Sequence, residues 1–107
     1  MKTFENFNEL LKTINHLPHT WIFTDKPLKI SLENILKFNK YYIPDYIEEY
    51  GEYEECDMEE SGLYDSFIEC QTFKAIIDNK LEHNPNSTMN ELAEAVLYYL
   101  KNDDFLD

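Results

Sequence analysis

Phe4, Phe7, Leu10, Leu11 and Ile14 recur at helical spacing, with Glu5, Asn8, Glu9 and Lys12 outside the stripe, and predict an N-terminal helix. Thr3 stands where a cap belongs, and Pro18 stops the element after His16-Leu17. Residues 20–24, Thr-Trp-Ile-Phe-Thr, are β-branched and aromatic and lie between Pro18 and an Asp25-Lys26-Pro27 turn. They predict a short buried strand. Residues 28–43 carry two periods: Leu28, Ile30 and Leu32 alternate with Lys29 and Ser31, while Leu32, Ile35 and Leu36 also fit a helical turn. Extended structure across much of this stretch is the favoured reading.

Pro44, with Asp45, Glu48 and Glu49 behind it and Gly51 beyond, fits a short helix over Pro-Asp-Tyr-Ile-Glu-Glu-Tyr. Residues 52–61 are acid-rich without a period and read as a loop, and Leu63 to Ile68 as a strand. Phe73, Ile76, Ile77 and Leu81 form a helical stripe that ends before Asn84-Pro85-Asn86. Thr88-Met89-Asn90-Glu91 matches a capping box, in which hydroxyl and carboxylate satisfy free backbone N–H groups reciprocally. Leu92, Ala95, Val96, Tyr99 and Leu100 line the face of the helix it opens, and Phe105 and Leu106 are placed to fold back onto the core. Terminal helices with short strands between them define an α+β class: a small antiparallel sheet with N- and C-terminal helices packed on one face. At 107 residues, residues 1–107 read as a single domain.

Composition changes the picture most through charge. Nine Lys face 22 Asp and Glu, so the net charge is 9 − 22 = −13, and no Arg is present. The field has the wrong sign for nucleic acid or an anionic membrane. It suits a basic macromolecule, drawn in by a steering force that salt weakens. No apolar run is long enough to span a bilayer. Glu5 and Glu9 interrupt the stretch a secretory signal would need to keep apolar, so the expected compartment is the cytoplasm. There Cys56 and Cys70 read as thiols.

Half of the acids, eleven, lie in residues 41–69, with no Lys between Lys40 and Lys74. Six of the eight tyrosines lie there too. A charge run alone is usually a solvated face. Phenol rings among the charges shift the reading to a binding surface, because Tyr gives large contact area at low entropic expense. The candidate partner-binding residues are Tyr46, Glu48, Glu49, Tyr50, Glu52, Tyr53, Glu54, Glu55, Asp57, Glu59 and Glu60.

Other chemistry finds little footing. Asp57 to Gly62 imitates the start of a calcium loop, but position twelve is Ile68 and the acid comes one residue late, at Glu69. His16 and His19 flank Pro18, and His83 ends a helix where it meets the negative end of the dipole; none has the further ligands that zinc needs. Glycine-rich phosphate loops and nucleophile elbows are missing, and crowded carboxylates lack the divergent environments that acid/base catalysis requires. No cofactor and no catalytic residue is expected.

The segment His83-Asn84-Pro85-Asn86-Ser87-Thr88-Met89-Asn90-Glu91-Leu92, with Ala95, Tyr98-Tyr99 and Asp104-Phe105, resembles the closing part of small immunity proteins of contact-dependent growth inhibition and related polymorphic toxin systems. Trp21-Ile22-Phe23 resembles their early strand. The resemblance implies a non-catalytic protein that binds and neutralises one cognate toxin domain, often a nuclease, in the cytoplasm, one chain per toxin. It carries over no site residue, because the acidic and aromatic stretch lies outside the matched part. Two alternatives stand beside it. One is an acidic nucleic-acid mimic that inhibits another DNA- or RNA-handling protein. The other is a small metal-assisted enzyme built on Asp57, Glu59 and the histidines.

Overall fold

The structure is a computed structural model that describes residues 1–49 and 51–105, apart from the side chains of residues 47, 52 and 55–57. Four strands form one antiparallel sheet: β1 (Lys2–Phe4), β2 (Trp21–Asp25), β3 (Tyr41–Ile43) and, last in the chain, β6 (Tyr64–Glu69). Their spatial order is β1-β3-β2-β6. A separate two-stranded ribbon joins β4 (Tyr46–Ile47) to β5 (Glu52–Tyr53). The helices are α1 (Phe7–Leu11), α2 (Glu55–Ser61), α3 (Cys70–His83) and α4 (Met89–Asn102). This is the expected α+β class with its antiparallel sheet. The chain exposes 6422 Å², close to the roughly 6,300 Å² that area scaling gives for its mass.

Strand registers sort the side chains onto two faces. Tyr41 pairs with both Phe4 and Thr24, and Tyr42 with Thr3 and Phe23. On one face Ile22, Tyr41, Ile43, Phe67 and Ile68 meet Phe7 and Leu10 of α1, Phe73, Ile76 and Ile77 of α3, and Leu92, Ala93 and Val96 of α4. The rings of Phe7 and Phe73 meet edge to face at 6.0 Å, a favoured aromatic geometry. On the other face Phe23, Tyr42 and the half-buried Tyr64 enclose Met58 of α2. The sheet is therefore covered on both sides, not on one.

A bulge between Ile22 and Phe23 shifts the β2–β6 register, so that Ile22 opposes Ile68 while Phe23 opposes Ser66. The intervening Phe67 joins Ile68 in the same cluster, because two residues of a bulged strand oppose one of its partner.

Four local readings are corrected. Thr3 is in the sheet, and the N-terminal helix begins later: Asn6 caps it, its side chain accepting from the Glu9 N–H at 3.0 Å. The 28–43 stretch is not mainly extended. Ser31 Oγ accepts from the Asn34 N–H at 3.1 Å and starts a wide turn over Asn34–Phe38, which buries Ile35. The Asn39 N–H then closes onto the Asn34 carbonyl at 2.8 Å, the five-residue spacing of a π-turn.

The third correction is to the helix expected over 44–50, whose described residues 44–49 hold the first strand of a hairpin instead. Proline at the start and glycine at the end suit either element, because a hairpin loop and a helix C-terminus both want a left-handed residue. Gly51 supplies it, with φ +66°. The fourth is the expected loop over 52–61, which instead contains α2, ended by Gly62 at φ +73°. α2 buries Met58 and is too short to leave a readable period.

The C-terminal half follows expectation. α3 grows directly from β6, with the Cys70 N–H donating to the Thr20 carbonyl at 2.9 Å. Both halves of the α4 capping box are formed, at 3.1 and 3.2 Å. Phe105 returns to Tyr99 at 5.5 Å between ring centroids, while Leu106 lies outside the described residues. Among the described residues no helix is long and apolar enough to cross a membrane.

Candidate functional site

The candidate residues are gathered on the β4–β5 hairpin and the helix after it. Tyr46 pairs with Tyr53 across the ribbon, and their rings meet at 5.3 Å and 70°. Such a pair on a two-stranded ribbon is one of the few ways it gains stability of its own. Tyr46 remains 53% exposed, so the pair presents one open ring. The loop between the strands carries Glu48 and Glu49, both exposed. The Gly51 N–H donates to the Glu48 carbonyl at 3.3 Å and closes it. Glu59 and Glu60 are exposed on α2. Tyr50, and the side chains of Glu52, Glu55 and Asp57, lie outside the described residues.

Glu54 has a different occupation. Its carboxylate accepts from the Asp45 N–H at 3.1 Å and pairs with the Met1 ammonium at 2.6 Å, while the Glu54 N–H returns to the Asp45 carbonyl at 3.1 Å. Asp45 pairs with the same ammonium. Two acids of the stretch therefore fasten the hairpin's base to the edge of the sheet. The bond from the Met1 ammonium and then the Asp45 N–H hold the Glu54 carboxyl below its ordinary value. Burial works against the ammonium, but Asp45 and Glu54 together raise it above its ordinary 8.0.

Two further tyrosines of the acid-rich stretch belong to the fold. Tyr41 is fully buried and donates to the Ile35 carbonyl at 2.6 Å. Tyr42 donates to Asp25 Oδ1 at 2.9 Å. The outward set among the described residues is thus Tyr46, Glu48, Glu49, Glu59 and Glu60, with Tyr53 half-buried behind Tyr46. None of those four glutamates is ion-paired among the described residues.

Four of the nine lysines fall together within residues 26–40. Lys26, Lys29 and Lys40 line a shallow cleft with Phe38, which is 65% exposed. Residues 57–61 are helical, and Gly62 terminates that helix, so the partial calcium-loop pattern has no loop to act in. Among the described residues no three His, Cys, Asp or Glu side chains are placed to share a metal ion. The His83 Nδ1 lies 2.8 Å from the Asn79 carbonyl in the last turn of α3, the helix-end placement expected of it.

A second feature was not legible in the sequence. Trp21, at the end of β2, is 37% exposed and lines a cleft with Glu69 and the last turn of α4. Its place within an apolar strand run reads as core, and the cleft exists only because α4 ends beside it.

These features define a small acidic α+β domain whose chemistry lies in exposed rings and carboxylates. The chain belongs to the family described as Domain of unknown function (DUF7716), whose model matches residues 4–107. No curated protein and no solved structure matches the chain.

Proposed function

We propose that this chain is a non-catalytic inhibitor: an immunity protein that binds a basic toxin domain, a ribonuclease or other nuclease, and covers its active-site cleft. The observation that carries the reading is the hairpin, an exposed Tyr46 ring backed by Tyr53 with exposed Glu48 and Glu49 in its loop. A nuclease collects phosphates with Lys and Arg, so its cleft is electropositive. Carboxylates on a projecting ribbon take the place of phosphates there, and a phenol ring beside them packs against the rim. Anchoring of the hairpin base by Asp45 and Glu54 supports the same reading, since a pre-ordered binding element loses less freedom on association.

The test is co-purification with the polypeptide encoded beside it, followed by kinetics. A stable complex at low salt is expected, with an on-rate reaching ~10⁸ M⁻¹s⁻¹ and falling steeply as salt rises. Replacing Glu48 and Glu49 by Gln mainly slows association. Tyr46→Ala mainly speeds dissociation, by about 10-fold or more if the ring is a hot spot. Absence of a complex at low salt, or an on-rate indifferent to E48Q/E49Q, overturns the reading.

A further inference from the structure

Away from the hairpin, Trp21 and Glu69 are partners at one end of the β2–β6 ladder. Beside them is a cleft of about 230 Å³, several times the ~30 Å³ share of one water. Ile68, Tyr99 and Leu100 form its buried and half-buried lining, and the exposed Trp21, Glu69 and Asp103 its outer lining. We propose that this cleft receives the guanidinium or ammonium head of an Arg or Lys side chain from a basic partner polypeptide, a contact that deepens the inhibitor reading and rests on it for the partner's charge.

Three kinds of observation agree on a cation. Indole is the best aromatic face for one, and Tyr99 adds a second ring. Two carboxylates line the cleft, and among the described residues no lysine or histidine does. The net charge of −13 adds attraction of the same sign. Helix dipoles do not decide the matter. The last turn of α4 contributes partial negative charge and the first turn of α3, entering at Thr72, partial positive charge of similar size. The full charges of Glu69 and Asp103 therefore set the sign. Asp103 is held at φ +54°, its N–H donating to the Tyr99 carbonyl at 2.7 Å, which fixes its place beside that ring.

Trp21 is the chain's one tryptophan; it lines this cleft and an adjoining one with His19, Thr20, Glu69 and Gln71, and Asp103, which lines only the first of the two, ties a fluorescence change to this site. Titration of the full chain with N-acetyl-arginine amide or N-acetyl-lysine amide is expected to give a saturable change in the millimolar range. The neutral isostere N-acetyl-citrulline amide is expected to give none. The double variant Glu69→Gln, Asp103→Asn keeps both shapes, and Asn tolerates the left-handed backbone. With circular dichroism unchanged, it binds at least about fivefold more weakly. No saturable change, an equal response to the citrulline compound, or an unaffected double variant overturns the proposal. Choline binding about tenfold tighter than either amino-acid amide also overturns it, in favour of a small free cation. These measurements need no partner, so the cleft and the inhibitor reading fail separately: an unresponsive cleft leaves the hairpin complex to be measured on its own.

Discussion

Tyr42 lies on the Met58 side of the sheet. Its ring lies 4.9 Å from that of Tyr64, and its hydroxyl bonds Asp25. Desolvation, and after it the Asp25 carboxylate, pushes the phenol up to about 12 from its ordinary 10.0. The folded chain thus holds this proton more tightly than the unfolded one. The stabilisation is complete below pH 10 and is lost as pH rises through about 12. Tyr42→Phe is expected to lose about 1 kcal/mol at neutral pH by removing the hydrogen bond and to flatten the decline of denaturant stability between those two pH values. Gly51→Ala tests another single residue. A Cβ there meets the Tyr46 hydroxyl at an ordinary 3.7 Å, so the penalty comes from the positive φ alone, about 1–2 kcal/mol. Urea unfolding measures it.

Among the elements, α4 was fully legible because everything that specifies it is local. The Thr88 and Glu91 side chains accept from each other's backbone N–H groups, and the apolar stripe follows at once. Thr88→Ala is expected to cost about 1 kcal/mol in urea unfolding. The elements misread from sequence depend on contacts made at a distance. Thr3 is a plausible cap until Tyr42 pairs with it, and residues 44–50 are a plausible helix until Tyr46 finds Tyr53. α2 is short, and the docking site of its Met58 on Phe23 and Tyr42 comes from strands far off in sequence. The exposure of Glu48, Glu49 and Tyr46 was legible in their residue types. The internal duties of Glu54 and Tyr41 were not, since a string of acids and rings does not reveal which member ties down the rest.

For the molecule as a whole, charge acts at two ranges. The long axis is 42 Å, and between about 0.01 and 1 M salt the screening length falls from about 30 Å to about 3 Å. Self-repulsion of a −13 chain therefore weakens sharply with salt. The clasp of the Met1 ammonium on Asp45 and Glu54 weakens as well, but as a partly exposed cluster it contributes at most about 1 kcal/mol. Repulsion is the larger effect, so the thermal midpoint is expected to rise with salt. The clasp has its own pH window. The lowered Glu54 carboxyl contributes above its ordinary 4.5, and that contribution is lost as pH falls through the folded value. The raised ammonium contributes fully below 8.0 and loses its contribution as pH rises through its folded value. Protection of the hairpin amides, taken relative to the intrinsic exchange rate at each pH, is expected to be greatest between these limits and smaller on either side.

The irregular step in β6 has a further consequence for how this chain tolerates change in length. Tyr64 and Ser66 share one side of the ribbon up to the step, and after it Ile68 points inward where strict alternation would have turned it out. A chain shortened by Phe67 alone would restore simple alternation, keeping Ile68 against Ile22 and Glu69 against Trp21, and would forfeit only the filling that Phe67 provides 5.1 Å from the Tyr41 ring. Loss of Ser66 instead would remove the same extra residue but turn the Phe67 ring out of the core, to stand opposite Phe23. One link of this strand is spare for register and needed for bulk.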